Sequence, residues 1–240
     1  MSPRLVAVLA VVLALPPGAQ TPALPTVDQI LSKQIEAVGG RAALERVTSL
    51  TAYGTLSVAE AGITGSIELY AKAPNRTASF VDINGLQQAD AFDGSVGWSS
   101  DPQNGLRLKA GVELADTRNA AVFNKELNMK TTYPTMTVSG RERVGGRDAF
   151  AVDATPAEGR PVRMFFDAET GLLLRQVVTR DTPMGPLEVD VLLEDYRPVD
   201  GVKRPFTIRQ ITQVFTAVIQ FTEIKQNVEI DDAVFRKPGF

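Results

Sequence analysis

The sequence predicts a mainly β protein, with a few helices: a single antiparallel sheet of about ten or eleven strands that curls or closes on itself. Three observations predict this. First, apolar and polar residues alternate from Leu50 onward, as in Ile63, Gly65, Ile67, Leu69 and Ala71 against Thr64, Ser66, Glu68, Tyr70 and Lys72, which is the period of a half-buried strand. Second, turn signals such as Asn84-Gly85, Asp93-Gly94 and Asp200-Gly201 recur between the runs, at a hairpin spacing that leaves no room for parallel crossovers. Third, so many twisted strands curl rather than stay flat, and two helical stretches are available to fill the concave side.

The chain opens on an address. Arg4 precedes the apolar run Leu5–Leu15, and Pro16-Pro17-Gly18 breaks it. This order describes a secretory signal peptide, assigned to residues 1–23 with cleavage between 18 and 23. The run is shorter than the roughly 20 residues a membrane span needs. The mature chain is therefore expected to be exported, to lie soluble in the periplasm, and to have no transmembrane segment. Residues 24–240 show no linker and no repeat, and are read as one domain.

The elements follow in order. Thr26 and Gln29 form a capping box, and Val27, Ile30, Leu31, Ile35 and Val38 keep helical spacing up to Gly39-Gly40. Residues 41–47 suit a second short helix. Strands are expected over residues 63–71, 76–83, 86–92 and 96–98. Residues 110–128 lack proline and carry a weak apolar stripe of Val112, Ala115, Val122, Phe123 and Leu127, which predicts one helix of about 15–18 residues. Strands return at 135–144, 147–155, 160–167, 172–180, 187–194, 204–215 and 217–228, and residues 231–235 read as a closing turn.

Composition narrows the chemistry. The 240 residues contain no cysteine and no histidine, and the formal net charge is −3. A disulfide framework, a thiolate site and a cysteine to lipidate are thereby excluded, and histidine-based triads and zinc hydrolysis lose their usual member. No basic excess exists to meet nucleic acid. Glu188 and Asp190, beside Glu194, look like paired carboxylates but read better as outward charges on a strand whose other face is apolar. Asp93, Asp101 and Asp167 sit in turns, where aspartate caps its own backbone. No catalytic residue, metal or cofactor is assigned, and the chain is not expected to be an enzyme.

A curled sheet with few helices leaves either a plain core or an apolar cavity on its concave side. The candidate cavity residues are Ile67, Leu69, Phe80, Trp98, Met164, Phe166, Leu174, Val189, Val191, Phe206 and Phe221, all at apolar strand positions. Candidate lid residues are Val112, Val122, Phe123 and Leu127, with Met129 and Met136 flanking the end of that helix.

Four segments carry a resemblance: residues 35–44 (IEAVGGRAAL), 93–98 (DGSVGW), 166–174 (FDAETGLLL) and 196–206 (YRPVDGVKRPF). In order and spacing, over roughly residues 27–228, the chain resembles the LolA-like group of periplasmic lipoprotein carriers and outer-membrane lipoprotein-sorting proteins. The resemblance implies a single curled antiparallel sheet forming an unclosed half-barrel of about eleven strands, with the N-terminal and central helices as lid or plug over its mouth and an apolar cavity for acyl chains. The expected function is a cell-envelope carrier or binding protein for a lipid, a lipoprotein acyl chain or another apolar ligand, with envelope proteins as further partners. The competing expectations are a ligand-free interaction module and a carboxylate-dependent hydrolase.

Overall fold

A computed structural model describes residues 23–182 and 185–239. The expected signal peptide therefore lies outside the described residues, apart from residue 23. The chain begins with helix α1 (Val27–Val38). Its capping box is formed: Thr26 Oγ1 accepts from Gln29 N, and Gln29 Oε1 accepts from Thr26 N. Ile30, Leu31 and Val38 bury one face of the helix. Gly39 ends it with φ +129°, and a Cβ there would lie 2.2 Å from Gly201 O, so no larger residue fits between the helix end and the sheet. Helix α2 (Arg41–Glu45) follows.

Among the described residues, thirteen strands then form one antiparallel sheet. They are β1 (Ser49–Val58), β2 (Ile63–Lys72), β3 (Arg76–Ile83), β4 (Leu86–Phe92), β5 (Gly97–Asp101), β6 (Gly105–Leu108), β7 (Thr135–Val144), β8 (Arg147–Thr155), β9 (Val162–Asp167), β10 (Leu173–Thr182), β11 (Gly185–Val199), β12 (Val202–Ile211) and β13 (Thr216–Gln226). Their spatial order is β6-β5-β4-β3-β2-β1-β13-β12-β11-β10-β9-β8-β7. Two meanders thus meet where β13 lies against β1 on one side and β12 on the other, and β6 and β7 are left as free edges, so the sheet is not closed into a barrel. The strand count exceeds the expected eleven partly because β6 is only four residues long, too short to display a period.

The predicted turns form from their own chemistry. Asn84-Gly85 and Asp200-Gly201 take positive φ at both residues, as a type I′ hairpin turn requires. Asp93-Gly94 differs from expectation. Phe92 pairs with Gly97 across a loop of residues 93–96, and Asp93 Oδ1 accepts from Ser95 N and Val96 N at 2.8 and 2.7 Å. The aspartate cap lengthens the loop beyond two residues. Asp101 and Asp167 cap their loops in the same way.

The single central helix expected over 110–128 is instead two, α3 (Gly111–Ala121) and α4 (Lys125–Thr132). The break is at Asn124, in left-handed conformation at φ 46° and ψ 57°, which asparagine tolerates better than most residues. Its side-chain amide donates to Leu44 O and Val47 O at 2.9 and 3.2 Å. The turn drives Phe123 into a cluster with Val38, Leu44, Val47 and Val202. Local polar bonds and one buried aromatic thus override a weak helical stripe.

The helices cover one face of the sheet. On that face α1 and α4 pack Ile30, Leu31 and Met129 against Val152, Met164 and Phe166. The opposite face has two smaller cores. One lies under the C-terminal segment, where Ile230 and Phe235 pack on Ala78, Ala91 and Trp98. The other joins Val144, Ala149, Ala151, Phe165 and Leu174.

Candidate ligand-binding face

Cross-strand register decides which residues share a face, because paired residues point to the same side of a sheet. One row runs Leu193–Ile208–Ile219–Leu56 across β11, β12, β13 and β1. Another runs Ala52–Leu69 and a third Ile67–Val81 across β1 to β3. These rows lie on the face the helices cover elsewhere. Of the predicted cavity residues, Ile67, Leu69, Phe206 and Phe221 fall here in one cluster with Ala52 and Ile219. Met164 and Phe166 lie on the same face under α1 and α4. Val191 joins them through the row Val191–Gln176–Met164, and Val189 follows two residues earlier.

Phe80, Trp98 and Leu174 do not join them. Phe80 and Trp98 belong to the core beneath the C-terminal segment, where Trp98 Nε1 donates to Phe235 O at 2.9 Å. Leu174 belongs to the other core of the opposite face. A register shift between Leu173 and Arg175 places Leu173 with Phe166 and sends Leu174 the other way, which a strict period of two does not foresee. Of the predicted lid residues, Phe123 is buried and Leu127 packs beside it, whereas Val112 is 43% exposed at the start of α3. Met129 is buried and Met136 packs on the same core.

The cluster around Ile67 and Phe221 differs from its neighbours on this face. Helix residues take part in the two clusters beside it, but strand residues alone build this one: Leu50, Leu56, Leu69, Val81, Val199, Ile208 and Ile224 surround its buried members. Leu56, Leu69, Val81 and Ile208 keep part of their surface open to water. Sequence reading passed over Leu56, Val81, Ile208 and Ile224. The signal was local only for Ile208, which holds the phase of Phe206 on β12; Val81 alternates with Phe80, Ile224 falls out of phase with Phe221 across a register shift, and β1 offered no candidate to match Leu56.

A cleft of about 590 Å³ opens beside this cluster. Strands β12 and β13 pair only from Thr207–Gln220 to Ile211–Thr216, so their other ends part. Val199, Phe206 and Ile224 of the cluster line the gap together with Glu223, Lys225 and Gln226. Gln226 Nε2 donates to Val199 O across it at 2.8 Å, while its buried Oε1 has no partner. The Arg197 guanidinium lies 4.6 Å over the Phe206 ring.

Charge on the helix-covered face is mostly paired. Arg204 meets Glu126 at 3.6 Å, Lys109 meets Asp90 at 2.6 Å, Arg107 forks onto Glu113 at 2.7 Å, and Arg160 bridges Asp116 and Asp181 at 2.8 and 2.7 Å. The Arg107 hydrogen bonds hold the Glu113 carboxyl below its ordinary range. Asp190 is bonded to Arg175 rather than paired with another acid. Among the described residues, no three acidic side chains come together as a metal site, and no helix is long and apolar enough to cross a membrane.

No family model matches the sequence, and no curated protein matches it. Solved structures do. A DUF1329 family protein from Desulfovibrio piger matches over 88% of this chain and 97% of its own, with 16% identity and a TM-score of 0.57. A LolA superfamily protein from Nitrosomonas europaea matches over 89% and 99%, with 14% identity and a TM-score of 0.58. A domain named for outer membrane lipoprotein sorting, from Vibrio parahaemolyticus, matches over 87% and 96%, with 11% identity and a TM-score of 0.57. At these identities the likeness is one of architecture: thirteen antiparallel strands left unclosed, with helices laid across one face, place this chain in the LolA-like fold.

Proposed function

We propose that this protein is a cell-envelope carrier that holds a lipid, a lipoprotein acyl chain or another apolar ligand. The ligand lies against the strand-built apolar face of β1, β2, β3, β12 and β13. One observation carries this reading: Leu56, Leu69, Val81 and Ile208, half-buried on the helix-covered face, belong to one apolar cluster that only strand residues complete. Such a surface, left partly wet in the hollow of a curled sheet, gains from an apolar occupant. The LolA-like neighbours, one named for lipoprotein sorting, support the same reading. The leader expected over residues 1–23 supports a place in the periplasm. Catalysis has no support in the paired carboxylates described above.

Native mass spectrometry of protein purified from a bacterial periplasm tests the proposal. The expected result is a bound mass that solvent extraction resolves into acyl-containing molecules. The half-open Leu69→Glu and Ile208→Glu variants should keep the β-sheet circular dichroism and lose at least about tenfold in affinity, since each places a charge against the ligand. A clean apo mass with no uptake from envelope lipids overturns it.

That outcome would favour an interaction module instead. The observation behind this second reading is Leu86, Val214 and Phe215, which expose 58%, 76% and 38% of their surface at or beside hairpin tips.

A further inference from the structure

The cleft between β12 and β13 has walls from both faces of the sheet. Ile224 and Gln226 pair with Ala52 and Leu50 on the helix-covered face, whereas Glu223 and Lys225 pair with Tyr53 and Thr51, which point the other way. Two sequence features stand where the ladder stops. Pro205 has no N–H to donate, and Thr222 is left unpaired at the register shift beside Tyr53 and Gly54. The cleft thus runs from a polar rim to Val199, Phe206 and Ile224, which belong to the apolar cluster as well.

The side-chain groups left over in this cleft are acceptors. Gln226 is only 7% exposed. Val199 O can only accept, so the Gln226 carboxamide turns its NH2 toward it, and Oε1 remains a buried acceptor with no donor. Among the described residues, the exposed Asp200 carboxylate meets no cation and accepts no hydrogen bond. The cations close by are matched already. Lys225 bonds Glu223 at 2.9 Å, and Arg197, over the Phe206 ring, donates to Asp195 at 3.0 Å. Lys203 of the same hairpin is not part of the lining. The lining therefore carries two carboxylates, Asp200 and Glu223, against one ammonium, Lys225.

We infer that the carried ligand is an amphiphile with a primary ammonium head, bound in this cleft by Asp200, Glu223 and Gln226 while its chain lies on the apolar cluster. This rests on the carrier reading above and names the class of its ligand. A primary ammonium brings three N–H donors and one positive charge. The charge suits the excess carboxylate, and a donor satisfies the acceptor that folding leaves unpaired. An anionic head finds neither, because the cations around the cleft are taken.

Displacement of a fluorescent fatty-chain probe from protein purified from a bacterial periplasm tests it with three ligands of one chain: oleylamine, oleyltrimethylammonium and oleate. The trimethylammonium keeps the charge and has no N–H. Oleylamine should displace the probe at about a tenfold lower concentration than either of the others. Gln226→Met removes the acceptor and should cancel the lead over the trimethylammonium. Asp200→Asn keeps a residue suited to the left-handed turn and should cut the lead over oleate several-fold. Both variants should keep the β-sheet circular dichroism. Oleylamine that binds no better than oleyltrimethylammonium, or no better than oleate, overturns the inference and leaves the carrier reading standing, as does a lead that survives intact in either variant. Displacement by none of the three ligands overturns both.

Discussion

Trp98 shows how one residue ties the chain end to the sheet. Its indole is buried, its N–H is bonded to Phe235 O, and Phe235 is fully buried beside it. Phe235→Ala removes a large side chain from a closed core and should cost about 3–5 kcal/mol in urea unfolding. Because Trp98 is the only tryptophan, its emission should shift to the red in that variant even before global unfolding. Asp167 makes a second residue-scale case. Burial raises its carboxyl pKa, but the Thr170 N–H and hydroxyl, Arg147 and the Glu169 N–H outweigh this and hold it below the ordinary value. A lowered folded pKa means stability that is present above the unfolded pKa near 3.9 and is lost as pH falls through the folded one. Asp167→Asn should therefore destabilise by about 1–3 kcal/mol at pH 7, with the gap to wild type closing below about pH 4. The turn role of Asp167 was legible in the sequence, because an aspartate followed by Thr-Gly announces a cap. The burial of Trp98 under the C-terminus was not, since that contact spans 137 positions and leaves no local pattern.

Elements differ in what holds them. α1 buries an apolar face, whereas α3 buries only Ala115 and Ala121. Polar ties fasten α3: Arg107–Glu113, Arg160–Asp116, and the Asn119 amide donated to Glu158 O at 2.7 Å. Salt screens such ties and slightly strengthens apolar burial. Raising the ionic strength should thus speed amide exchange in α3 while leaving α1 unchanged. The break before α4 yields a further expectation. Asn124→Gly keeps the left-handed turn and loses only the two side-chain bonds, whereas Asn124→Ala also takes on backbone strain. The alanine variant should be the less stable by about 1 kcal/mol on thermal unfolding. The strands were readable because alternation and turn residues are local properties. The split helix was not, because its cause is a hydrogen bond to Leu44 and Val47, far back in the chain. For the same reason the sequence could sort residues into two faces along each strand but could not say which face curls inward. Phe80 and Trp98 were grouped with residues of the other face on that account, and Leu174 because of the register shift beside it.

At the scale of the whole molecule the sheet is open, and an open sheet has edges to protect. β7 carries exposed Arg141, Glu142 and Arg143 and a register shift beside Gly140, both of which discourage pairing with another chain. The interior of the sheet has its own weak line. β12 and β13 have ten and eleven residues but share five residue pairs. Amides of residues 222–226 should consequently exchange faster than those of residues 216–220 on the same strand, as read by hydrogen–deuterium exchange with peptide resolution.

That short line of pairing divides the sheet into two blocks, β1–β6 with β13 on one side and β7–β12 on the other. Most ladders inside the blocks are longer, as the ten residue pairs of β1–β2 and the nine of β11–β12 show, although β9 and β10 share only four. A molecule built this way has a compliant axis down its middle. Twisting one block against the other disturbs fewer bonds than bending either block across its longer ladders. Torque between the two blocks therefore falls on a seam where five residue pairs join strands of ten and eleven residues.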